Sequence, residues 1–136
     1  MSCRDFALVG YHGSVDESLR NAVTLFNNGR YAEFQNALEA LTSGTRAASE
    51  RRFYTLLNNV SEGLLRLSDG DLRDAEELIA EALRKVDPFR PRFRGLNVED
   101  FREDLQRLLV EVRDVREGRR AEPAPSRLPR LRVLPE

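Results

Sequence analysis

Five stretches of this sequence carry apolar residues at the three- and four-residue spacing of a helix face, and each stops beside a glycine or a proline. No run shows the two-residue alternation of a half-buried strand, so the pattern commits the chain to packing helices on helices. Leu19, Ala22, Val23 and Phe26 mark the first helix, expected over Val15 to Asn28, with Ser14 and Glu17 read as a capping-box pair and Gly29 as the stop. Tyr31, Phe34, Leu38 and Leu41 mark the second, ending before Ser43-Gly44. The short connection between these two predicts an antiparallel hairpin.

The third helix, Arg51 through Arg66, is the most apolar, with Phe53, Leu56, Leu57, Val60, Leu64 and Leu67 leaving little room for a wet face; it is expected at the centre. Ser68-Asp69-Gly70-Asp71 supplies a turn and an N-cap for a fourth helix carrying Leu72, Ala75, Leu78, Ile79, Ala82, Leu83 and Val86, which Pro88 closes. Asn97 caps a fifth, built on Phe101, Leu105, Leu108, Leu109, Val112 and Val115 and fraying near Gly118. The expected fold is therefore all-α: a compact antiparallel bundle of about five helices in one domain, residues 1–117. A Pro/Arg-rich basic tail, residues 118–136, follows, either flexible or docked, with short apolar islands at Leu128, Leu131 and Val133-Leu134.

With 136 residues and 40% apolar content, one core can close without disulfides or metal. A net charge of −1 gives no overall field toward nucleic acid or acidic membranes, so any charged partner must be met by a local patch. Cys3 is the sole cysteine and can form no internal disulfide, which fits a reducing compartment; the N-terminal residues lack a signal-peptide pattern and no run approaches the roughly 20 apolar residues of a membrane span. A cytoplasmic protein without a membrane segment is the expectation.

The two hairpins that turn at Gly29 and Gly70 overlay with an offset of 41 residues, pairing Tyr31 with Leu72 and Leu38 with Ile79. The second half also looks like part of a tetratricopeptide repeat, but that repeat's period of about 34 residues is not met, and two loose copies do not make a solenoid.

Between Leu25 and Leu105 the segments resemble the bacterial, archaeal and plastid family known only as domain of unknown function 309. Phe26, Gly29 and Tyr31 fit its Phe-x-x-Gly-x-Tyr. Where that family has His-Glu-x-Leu-Glu-x-x-Trp, this chain offers Gln35, Asn36, Leu38, Glu39 and Thr42; its next helix is matched at Arg51, Phe53, Leu57 and Asn59, with Arg66 where histidine is expected. Gly70-Asp71, Asp74-Ala75 and Gly95 continue the frame. The resemblance implies a compact helical bundle. In the family the imidazoles suggest a metal or proton-transfer site; both are absent here, and neutral amides are poor ligands for zinc or iron. No metal and no cofactor are expected.

No residue set has the spacing of a known nucleophile, metal cage or phosphate loop, so no catalytic residue is assigned and the chain leans away from enzymes. His12, the only histidine, lies in Gly10-Tyr-His-Gly13 without companion ligands, and Cys3 is read as an inert terminal thiol. Spacing puts Gln35 and Glu39 on one face, and the third helix can present Asn59, Glu62 and Arg66 toward them. Gln35, Glu39, Asn59 and Arg66 thus form a candidate ligand site, or else an interhelical network with Glu39 paired to Arg51 or Arg66. Phe89, Arg90, Arg92, Phe93 and Arg94 interleave rings and guanidinium groups in the manner of a single-strand nucleic-acid platform; the alternative is that the rings cover the end of the bundle while the arginines stay solvated. Acidic residues from Asp69 to Glu81 match the dipole at the start of the fourth helix and offer a counter-surface for a basic tail. The leading expectation is a non-catalytic interaction module, self-associating or docking an unidentified protein beside the third helix and the tail's apolar islands. Nucleic acid is not the expected partner.

Overall fold

The structure is a computed structural model that describes residues 15–120 and 128–135. Among these, five helices follow one another: α1 (Glu17–Asn27), α2 (Tyr31–Ser43), α3 (Ala48–Ser68), α4 (Leu72–Lys85) and α5 (Val98–Arg116). The all-α expectation holds. The helices pack in sequence order, α1 on α2, α2 on α3, α3 on α4 and α4 on α5, as short connections require.

Local chemistry explains the boundaries. Asp16 caps α1 through its Oδ1, which accepts from the Leu19 amide at 2.8 Å, so the cap sits two residues beyond Ser14, which lies outside the described residues. Asp71 and Asn97 cap α4 and α5 as read from the sequence, accepting from the amides of Asp74 and Asp100. Three helix ends share one device: Gly29, Gly70 and Gly118 sit at φ +78°, +83° and +82°, and the next residue's N–H reaches five back, Arg30 to Leu25, Asp71 to Arg66 and Arg119 to Asp114. This is a Schellman turn, which needs a left-handed residue that glycine adopts without strain. The first two are the same glycines that overlaid the two hairpins, and each releases the chain into a new helix two residues later.

Gly63 sets the closest approach of α3 to α4. A Cβ there would lie 3.3 Å from both the Ile79 Cγ1 and the Leu78 Cβ. The core runs through Phe26, Phe34, Phe53, Leu57, Ile79, Phe101, Leu105 and Leu108, all at most 1% exposed. Glu76 clamps α4 to α5 by accepting from Arg113 and Arg116. Burial opposes ionisation of its carboxyl, but the two guanidinium groups outweigh it and hold its pKa below the ordinary 4.5.

One feature departs from the sequence reading, and a second decides between its alternatives. A pair of short strands, β1 (Arg92–Phe93) and β2 (Leu96–Asn97), forms an antiparallel hairpin where no strand was expected. Its two-residue turn places Arg94 at φ +50° and Gly95 at φ +78°, the positive-φ pair of a type I′ turn. Second, of the two alternatives for the tail, residues 128–135 take the docked one: Val133 bridges Leu96, Pro129 is buried, and Leu131, 3% exposed, enters the core. Burial of Leu131 and Pro129 and the backbone hydrogen bonds of residues 130–134 act together against the ordering cost of this extended segment.

Candidate functional site

Gln35 and Glu39 line an open groove of about 520 Å³ between α2 and α3, with Asn58, Glu62, Tyr54 and Thr55 opposite. Glu62 is its hub: Oε1 accepts from Gln35 Nε2 and Oε2 from Arg66 Nε, each at 3.0 Å. Of the four predicted residues, three therefore gather at one place, Arg66 through Glu62. Asn59 does not; it faces the other side of α3, and Asn58, four residues before Glu62, takes its place. The Gln35–Glu62–Arg66 link is the expected interhelical network in part. The expected pairing of Glu39 with Arg51 or Arg66 does not form: Arg66 serves Glu62, Arg51 donates to the Thr45 carbonyl at 3.1 Å, and Glu39 is exposed with no partner among the described residues. Glu39→Ala should accordingly shift unfolding free energy by no more than about 0.5 kcal/mol in urea titrations, as for any unpartnered surface residue.

The Phe/Arg loop has its rings inward. Phe89 and Phe93 pack on Phe53 with centroids 5.1 and 4.9 Å away and on each other at 5.0 Å, closing the end of the bundle. This occupies the faces that would stack on bases. Arg90 and Arg92 are exposed, as that alternative has it, and Arg94 is half-buried. Arg90 donates to Glu99 through Nε at 2.7 Å and NH2 at 3.1 Å and also meets Asp87, contacts that raise its pKa further. Arg94 is drawn in between Asp16 and Glu50, 3.5 Å from each, beside Tyr54. These ion pairs hold a non-glycine residue at the left-handed turn position. Arg92 alone in this loop is exposed without a side-chain partner among the described residues.

A larger groove, about 780 Å³, lies on the opposite side of α3, against α4 and the short turn Asp87–Phe89. Buried Leu56, Ala82 and Phe89 make its floor, and Thr42, Thr55 and Asn59 add neutral polar groups. Exposed Arg51, Arg52, Arg84 and Lys85 make its rim, and no carboxylate among the described residues lines it. Glu81 reaches in from the side to pair with Lys85 at 2.7 Å and with Arg84; these two hydrogen bonds, Lys85 first, keep its pKa low. Arg51 and Arg52 have no carboxylate partner among the described residues. On a chain of net charge −1 this is a local concentration of positive charge over an apolar floor.

Sequence reasoning expected docking in a groove beside the third helix but missed this groove's basic rim, although its signal was present. Arg51-Arg52 opens α3 and Arg84-Lys85 closes α4, and an antiparallel hairpin necessarily brings the first turn of one helix beside the last turn of the next. Among the described residues no group of three or more His, Cys, Asp or Glu is placed to hold a metal ion, and no helix is long and apolar enough to cross a membrane. His12 and Cys3 lie outside the described residues. The chain matches no family model, no curated protein and no solved structure.

Proposed function

We propose that this protein is a non-catalytic docking module that receives an acidic amphipathic helix of a partner protein in the groove between α3 and α4. The observation that carries the reading is the pairing of an apolar floor with a rim of four cations and no lining carboxylate among the described residues. A groove along two packed helices suits a third helix, whose apolar face meets Leu56, Ala82 and Phe89 while flanking carboxylates meet the rim. Occupying the groove with that helix also supplies carboxylates to Arg51 and Arg52, since Arg84 and Lys85 already share Glu81. The resemblance to the domain of unknown function 309 family is part of the same proposal, with the chain a divergent member. Phe26 and Tyr31 meet edge to face at 5.4 Å across the left-handed Gly29, so the retained motif is a corner that builds the bundle, while Gln35 and Asn36, two of the replaced polar heads, line the smaller groove.

The reading is tested with a fluorescent amphipathic helical peptide carrying glutamates beside a leucine face, and with its lysine-for-glutamate twin. Binding of the acidic peptide should weaken about tenfold or more between 50 and 300 mM salt, and again in Arg51→Glu/Arg52→Glu, whose melting temperature should not move because both side chains are exposed. Equal affinity for both peptides, or no salt dependence, would sink it.

A further inference from the structure

The docked segment 128–135 is held the way a peptide is held by a receptor. Asn27 on α1 reads both backbone groups of one residue: its Nδ2 donates to the Leu131 carbonyl and its Oδ1 accepts from the Leu131 N–H, each at 2.8 Å. Asp104 on α5, its side chain only 6% exposed, accepts from the Arg130 N–H and the Arg132 guanidinium, both at 3.2 Å. The hairpin completes the frame, with the Asn97 N–H donating to the Arg132 carbonyl at 2.9 Å and the Leu134 N–H to the Gly95 carbonyl at 2.8 Å. The Leu131 side chain fills a pocket in the core. Every receptor group lies between residues 27 and 104, so the site is complete without the segment that occupies it. Backbone pairing at a strand edge, one apolar anchor and a buried carboxylate that meets the basic group after it define a site for an extended peptide carrying a Leu-basic pair.

We infer that a second copy of this chain can supply that peptide, so that two molecules exchange residues 128–135 reciprocally and close a two-fold dimer. Every contact in the exchanged form is one the single chain already makes, and the difference between the two forms lies only in the connector, residues 117–127. While that connector is long enough to fold back, it presents the segment to its own body at an effective concentration in the millimolar range, and the single chain prevails below that. A connector that cannot reach removes this advantage and leaves the second copy as the sole source.

The geometry supplies the test. The Arg120 N–H donates to the Asp114 carbonyl, which pins Arg120 beside Asp114. Asp104 is ten residues earlier on the same helix, about 15 Å away at 1.5 Å per residue. Deleting residues 121–127 from the otherwise full chain leaves three residue steps from Arg120 to Arg130, which span about 10 Å when extended. Light scattering after size exclusion should then report twice the chain mass with unchanged helical circular dichroism, and Asn27→Ala on that background should weaken the dimer about tenfold or more. A folded monomer at about 100 µM would overturn the inference. If the deletion variant fails to fold, the intact chain decides: copies labelled with donor and with acceptor at Cys3 and mixed at about 1 mM should show energy transfer that is lost in chains ending at Arg127, and absence of transfer overturns the inference.

Discussion

Phe26→Ala should lower the free energy of unfolding by about 3–5 kcal/mol in urea titrations, the cost of deleting a fully buried aromatic whose surroundings cannot collapse into the space. Its ring is 1% exposed and meets Phe34 at 5.0 Å, Tyr31 at 5.4 Å and Phe101 at 5.9 Å, so two further helices lean on it at once. The first two contacts fix α2 against the end of α1, and the third brings α5, remote in sequence, against the same point. Neighbours on separate helices cannot all move inward, because each is also packed on its far side, and the cavity should persist. Val110→Ala is the control: Val110 is 57% exposed and should cost no more than about 0.5 kcal/mol. A loss below about 1.5 kcal/mol for Phe26→Ala would mean that α1 is not held through this ring.

The helices were legible in the sequence because each carries its own instructions. Apolar spacing, an Asp or Asn cap and a left-handed glycine are all local, and α2, α4 and α5 begin or end within a residue or two of where Tyr31, Asp71, Asn97 and Gly44 put them. What was not legible depends on partners far away in the chain. β1 and β2 are two residues each, too short to show alternation, and their turn uses Arg94 at a position where asparagine is the usual signal; Asp16, Glu50 and Tyr54, supplied from elsewhere in the chain, surround the arginine there. The docking of Leu131 likewise depends on Asn27, which the sequence offers merely as a polar residue at a helix end.

The candidate site divides along the same line. Gln35 and Glu39 share a face because four residues always do, whereas the choice between Asn58 and Asn59 depends on the rotation of α3, which its packing against α2 and α4 decides. The basic groove needed only one further step, running the two arginine-rich helix ends antiparallel.

Gly63→Leu should cost about 3 kcal/mol, at the upper end of what overpacking a core produces, and should also alter the groove proposed for docking. The helix face of α3 that holds Gly63 is in contact with Leu78 and Ile79, and a Cβ alone would sit at the tight distance of 3.3 Å from each. Three further carbons have nowhere to go between two helices already touching, so α4 must shift outward. Thr55, Leu56 and Asn59 lie one to two turns earlier on α3, and Ala82 and Lys85 one to two turns later on α4, so a wedge at Gly63 opens the hinge end of the same interface that the groove continues. Gly63→Ala separates the two effects. Its single carbon requires neighbours to yield by a few tenths of an ångström, while replacing a mid-helix glycine by alanine returns about 1 kcal/mol of helix propensity, so the net change should be near zero. Urea titrations of the two variants, paired with acidic-peptide binding, should give a stable alanine variant that binds as the native chain does and a destabilised leucine variant that binds more weakly. Were Gly63→Leu to fold with native stability, α3 and α4 would not be held at the separation that Gly63 permits, and the groove would lose its rigid floor.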